Sequence, residues 1–171
     1  MRGLRTVTVA SGALLVLLAG CHAPKPKASA TSAESHAPGT TTASIPAACA
    51  AYPPGSPGVV RSFCSGPAVV KLTINGKDHI LKGGTCSTDG GRFTLNLGIV
   101  AGPGLAGPKP DYVGLTANVG SGPFTDAALN VHYAGKAYAL THNTGQVAPS
   151  GGNFTGTGRR GRSKVSGTFT C

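Results

Sequence analysis

The chain has no tryptophan, one methionine and five acidic residues in 171. So few acids leave little room for carboxylate chemistry, because paired general acid and base catalysis needs two carboxyl groups held close together. The five are Glu34, Asp78, Asp89, Asp111 and Asp126, and no two are near neighbours in sequence. Asp78 and His79 are adjacent on a predicted strand, so they face opposite ways and make a poor orienter and base. No Gly-x-Ser-x-Gly elbow is present, and the glycine pairs sit where turns are expected rather than where phosphate loops form. No stretch shows long helical periodicity, and no internal repeat occurs. Charged residues are also sparse, at 12%, which excludes a chain that is disordered throughout by self-repulsion.

What is abundant is glycine, at 27, and proline, at 13. That balance predicts many turns and few helices. Basic residues number 15, giving a formal net charge of +10. Such a surplus favours anionic neighbours without naming one.

The first residues carry the parts of an export signal. Arg2 and Arg5 form a positive start, Val7 to Leu18 is apolar, and Ala19-Gly20 supplies small residues before Cys21. The apolar run is shorter than the roughly 20 residues that span a bilayer. Leu18-Ala19-Gly20-Cys21 looks like a bacterial lipobox, in which a diacylglyceryl group is joined to the cysteine sulfur and the chain is cut just before it. One acyl chain anchors only marginally, so a durable hold needs two or three. The expectation is a protein held by Cys21 on the extracytoplasmic face of a cell membrane. Cleavage would remove Arg2 and Arg5 and lower the net charge by two.

Residues 21–48 read as a tether. Pro24, Pro26, Pro38 and Pro46 disfavour helix, and the runs Thr31-Ser32 and Thr40-Thr41-Thr42 resemble either glycosylated stalks or a bare linker. Residues 49–171 read as one domain. Four cysteines remain there, Cys49, Cys64, Cys86 and Cys171, an even number in an exported chain, which favours disulfides. Four cysteines allow three pairings. The segment from Cys49 to Cys64, with Pro53-Pro54-Gly55 and Pro57-Gly58, reads as a disulfide-closed loop.

Strand periodicity begins near Ala68. Val70, Leu72 and Ile74 alternate with polar residues, Asn75-Gly76 marks a tight hairpin, and Lys77 to Leu81 returns. Asp89-Gly90-Gly91 turns the chain into Phe93, Leu95, Leu97 and Ile99. A Gly/Pro loop over 101–110 follows. Val113 to Val119, Ala127 to Tyr133 and Lys136 to Thr141 continue the rhythm, with Gly120 to Pro123 as a stop. Residues 142–152 read as a polar loop, and 153–157 and 164–171 as the last strands. This predicts an all-β fold, a small antiparallel sandwich or barrel-like domain after a disordered tether.

Several of these residues carry a family resemblance. They are the lipobox, the Thr/Ser/Ala tether, Ile74-Asn75-Gly76-Lys77-Asp78, Cys86 with Ser87-Thr88, the strand from Phe93 to Ile99, Phe154-Thr155-Gly156-Thr157-Gly158, and Phe169-Thr170-Cys171. Together they resemble the mycobacterial nineteen-kilodalton lipoprotein antigen family. The resemblance implies a surface lipoprotein with a β-rich domain in the cell envelope. It implies an antigen whose acylated start is sensed by host receptors, glycosylation, and a role as an adhesin. It also implies a Cys86–Cys171 bond, which would leave Cys49 for Cys64. Cys49, Cys64 and the basic segment near Arg159 have no counterpart in that pattern.

One charge run stands out. Arg159, Arg160, Arg162 and Lys164 fall within six residues and are candidates for contact with lipid head groups or other anionic envelope components. No aromatic residue is interleaved, so no nucleic-acid partner is expected. His132 and His142 could meet across a hairpin, but two histidines make a weak zinc site. The sequence therefore predicts no metal, no cofactor and no enzyme. It points to a displayed binding domain, with a lipid or small-ligand carrier as the alternative, since apolar strand faces could line a cavity.

Overall fold

The computed structural model describes residues 42–158 and 161–171. Within them lie a short helix, α1 (Ala47–Ala51), and ten strands: β1 (Val59–Phe63), β2 (Ala68–Ile74), β3 (Lys77–Asp89), β4 (Arg92–Ala101), β5 (Tyr112–Ala117), β6 (Gly122–Thr125), β7 (Ala128–Tyr133), β8 (Lys136–Ala148), β9 (Gly151–Gly158) and β10 (Lys164–Thr170). Cys21, where the sequence predicts an anchor, and Arg159 and Arg160 lie outside the described residues.

The pairing closes on itself. β2, β3, β4, β5, β7, β8, β9 and β10 follow one another round the wall, and β10 returns to β2. All these pairs are antiparallel. The all-β, disulfide-linked domain is therefore a barrel-like sheet with an almost purely up-and-down path. Closure follows from alternation, which turns one face of every strand inward. In β4, Phe93, Leu95 and Leu97 project into the core, as do Val70 and Leu72 of β2 and Val113 and Leu115 of β5. These side chains, with Phe154, Val131, Val147 and Val165, are buried almost completely. They fill the interior.

Space for the large rings comes from glycines on neighbouring strands. Phe154 is the cross-strand partner of Gly167, Phe124 of Gly145, and Phe169 of Gly152. A Cβ at Gly167 would lie 2.5 Å from Cζ of Phe154, one at Gly145 2.6 Å from Cζ of Phe124, and one at Gly152 2.8 Å from Cζ of Phe169. Alternation of large and small residues is how a small barrel fits its side chains.

Two long strands turn the corners. β3 pairs with β2 up to Gly84 and with β4 from Thr85 onward. The bend falls at Gly83, whose φ of +105° only glycine adopts easily. β8 pairs with β7 over its first residues and with β6 over its last. Its register shifts between Thr141 and Thr144, where His142 takes φ +53°. Bulges of this kind bend a strand and let it serve two sheets. Buried Asn143 holds the corner: its Nδ2 donates to the Ala127 carbonyl at 2.8 Å, and the Asp126 N–H donates to its carbonyl at 2.7 Å.

Where β3 and β4 part, the N-terminal segment fills the split. Ser44 bonds both ways to β3, through the Ile80 carbonyl and the Lys82 N–H. β1 takes the edge of β4 from Gly98 to Ala101. A Cys49–Cys64 disulfide joins α1 to the end of β1. The second disulfide, Cys86–Cys171, ties β3 to the residue after β10. In the chain-entropy description the two bridges, spanning 15 and 85 residues, stabilise the fold by about 3 and about 4.6 kcal/mol.

Four expectations change. Residues 142–152 are not a polar loop: β8 runs on to Ala148 and β9 starts at Gly151. The apolar alternation there was hidden because Gly145 and Gly152 face inward under rings from other strands. Gly120 to Pro123 does not simply stop the chain, because Gly122–Thr125 is β6 and Phe124 is buried. The Cys49–Cys64 loop contains the end of α1 and the whole of β1. Ordered structure reaches back past Cys49 to the Ser44–Leu81 bridge.

Candidate functional site

Asp78 and His79 do face opposite ways. Asp78 points outward from β3, where Lys71 Nζ lies 2.9 Å from one carboxylate oxygen and the Thr73 hydroxyl donates to the other at 2.7 Å. The Lys71 contact, and then that of Thr73, holds the Asp78 carboxyl below its ordinary range. His79 turns to the other side, stacked on Tyr133 with ring centroids 4.3 Å apart. The Tyr133 hydroxyl lies 3.0 Å from its Nδ1. β3 and β7 are not neighbours in the wall, so this pair joins two sides of the barrel. Burial, and then Asp111, raises the Tyr133 hydroxyl above its ordinary range, so it remains protonated at neutral pH.

His132 and His142 do not meet. His132 is opposite Ala137 on β8, while His142 sits exposed in the β8 bulge beyond the end of that ladder. Burial, and then the charge of Lys109, lowers the His132 pKa. Among the described residues no three potential metal ligands gather. Of the basic run, Arg162 and Lys164 are described, and both are exposed. The Lys164 backbone is fixed against the β2–β3 turn: its N–H donates to Asn75 Oδ1 at 3.1 Å, and its carbonyl accepts from the Asn75 N–H at 3.0 Å.

A continuous polar face was not visible from local sequence. Register places Thr125, Thr144, Thr155, Ser166 and Thr73 in one row across β6, β8, β9, β10 and β2. A second row holds Gln146, Asn153, Thr168 and Lys71. Thr144 and Thr155 hydroxyls lie 3.3 Å apart. A shallow depression of about 300 Å³ opens among Lys71, Thr73, Asn153, Thr155, Ser166 and Thr168, floored by Phe154 and Gly167. Its walls offer hydroxyl donors and acceptors and one ammonium group already paired with Asp78. This chemistry suits a hydrogen-bonding partner and provides no nucleophile with an adjacent base.

A second depression, of about 330 Å³, lies beside the long disulfide, lined by Cys86, Ser87, Thr88, Phe93, Pro149 and Cys171. On the opposite wall, the Tyr112 hydroxyl donates to Asn96 Oδ1 at 2.6 Å across the bare outer face of Gly114. Burial raises the Tyr112 pKa, so this hydroxyl is a fixed donor at neutral pH.

No protein-family model, curated protein or solved structure matches the chain.

Proposed function

We propose that the chain is a cell-envelope lipoprotein, anchored through acyl chains on Cys21, that displays a non-enzymatic barrel for binding at the cell surface. The observation that carries the reading is Leu18-Ala19-Gly20-Cys21 at the end of an export signal. A thioether-forming residue in that position is what lipid transfer requires. The cysteines support it, because the four beyond Cys21 are consumed in two disulfides, which suits an oxidising compartment. The resemblance to the nineteen-kilodalton lipoprotein antigens adds a surface-antigen role facing host receptors.

Two observations favour display over chemistry or transport. The His and Asp side chains that catalysis would recruit are apart or already hydrogen-bonded to structural partners. The barrel interior is filled by its own side chains, which weighs against a ligand carrier of the lipocalin kind, where the interior holds the cargo.

Growth of an expressing bacterium with radiolabelled palmitate tests the anchor. Label should appear on the parent protein and vanish in Cys21→Ala. Equal label in both would overturn the reading.

A further inference from the structure

Because the wall follows chain order, alternate connections fall at the same end of the barrel. The β2–β3 turn, the 102–111 connection, the Ala134–Gly135 turn and the β9–β10 connection share one end. Two contacts join them in pairs. Asn75 and Lys164 exchange hydrogen bonds, and Lys109 bridges Gly135.

This end gathers cations that are far apart in sequence. Lys77, Lys109, Lys136, Arg162 and Lys164 all lie there and all are exposed. Two carboxylates are close, and both are committed. Asp111 accepts from the Ala134 N–H at 2.7 Å, and Asp78 is held by Lys71 and Thr73. Among the described residues, none of the five cations has a salt-bridge partner. The other end differs in composition: at the β3–β4 turn the register sets Arg92 directly opposite Asp89, so the cation there has a carboxylate at the neighbouring position. The barrel is polarised along its axis.

We propose that this basic end docks on an anionic lipid surface. The cations lie in or next to four different connections, around a rim rather than along a groove, so they match a charged surface better than a threaded polymer. Basic clusters near a membrane anchor bind anionic head groups in this way. The location rests on the anchor reading above. Residues 21 to 44 can extend at most about 80 Å, so an acylated Cys21 would keep the rim within reach of the membrane, and a weak contact then becomes effectively intramolecular. With the rim turned to the lipid, the opposite end, beside the Cys86–Cys171 bond, points outward.

The test uses the mature chain, residues 21–171, carrying Cys21→Ala, so that no acyl chain contributes. Cosedimentation compares phosphatidylcholine vesicles with vesicles that also contain phosphatidylglycerol. The chain should bind only the anionic vesicles, and added salt should release it. Replacing Lys77, Lys109 and Lys136 with Gln should weaken binding by about tenfold or more, with an unchanged circular dichroism spectrum. Arg92→Gln, at the other end, should bind like the parent. Equal binding to both vesicles, or full binding by the triple variant, would overturn the proposal. So would binding to soluble polygalacturonate without binding to the anionic vesicles. Because this chain carries no lipid, a failure here is separate from a failure of palmitate labelling.

Discussion

Gly167→Ala offers a direct test of how the barrel is filled. A methyl group there would lie 2.5 Å from Cζ, 2.8 Å from Cε1 and 3.1 Å from Cε2 of Phe154. Phe154 is fully buried, so its ring cannot swing into solvent. Overpacking of this kind costs about 1–3 kcal/mol. An opposing effect is present, because Gly167 has no positive φ, and alanine at such a position gains about 0.4–1 kcal/mol by restricting the unfolded chain. The net expectation is a loss of about 1 kcal/mol, or about 4 °C in melting temperature for a domain of this size. Circular dichroism melts would read it. Phe154→Leu should lower stability alone, and in combination with Gly167→Ala the loss should be smaller than the sum, since the smaller side chain relieves the clash. If Gly167→Ala melts at or above the parent temperature, the reasoning about ring-over-glycine pairs is wrong.

Other consequences follow from the bridges and the histidines. Replacing Cys86 and Cys171 together should cost about 4.6 kcal/mol, against about 3 kcal/mol for Cys49 and Cys64. Denaturant unfolding of the two double variants should rank them in that order. His132 is held neutral in the fold by burial and by Lys109, below the ordinary value of 6.5. The unfolded chain therefore binds the extra proton first, and His132 withdraws stability as the pH falls below about 6.5. His132→Gln should lose less melting temperature between neutral pH and pH ~5 than the parent does. An equal loss in both would remove His132 as a cause.

The strands that could be read from sequence were those that carried their own alternation. β2 and β4 place Val70, Leu72, Phe93, Leu95 and Leu97 inward at every second position, and Asn75-Gly76 announces its own turn. β9 and the second half of β8 were harder. Their inward positions include Gly145, Gly152, Gly156 and Gly158, and much of the apolar surface over them belongs to Phe124, Phe169 and Leu140. A period-two pattern written in glycine is indistinguishable from a loop until the neighbouring strand is known. β1 was hidden for a different reason. Its only pairing is with the β4 edge that β3 vacates at its bend, so the strand exists because of a corner elsewhere in the chain.

The same logic governs the charges. The run from Arg159 to Lys164 stands out in sequence because its members are adjacent, yet Lys77, Lys109 and Lys136 are isolated and read as ordinary solvated side chains. Only the order of strands in the wall puts their turns at one end. A different closure of these strands, with one pair exchanged, would send Lys136 to the far end and dissolve the polarity. The basic rim is thus a property of topology, as the Thr125–Thr144–Thr155–Ser166–Thr73 row is a property of register. A shift of one residue in β9 would turn Thr155 inward and break the row. The two surfaces fail separately: vesicle binding depends on the charged rim, whereas the hydroxyl row depends on the register locked beneath it by Phe154 over Gly167. Gly167→Ala should therefore disturb the hydroxyl face while leaving binding to anionic vesicles intact, provided the domain remains folded.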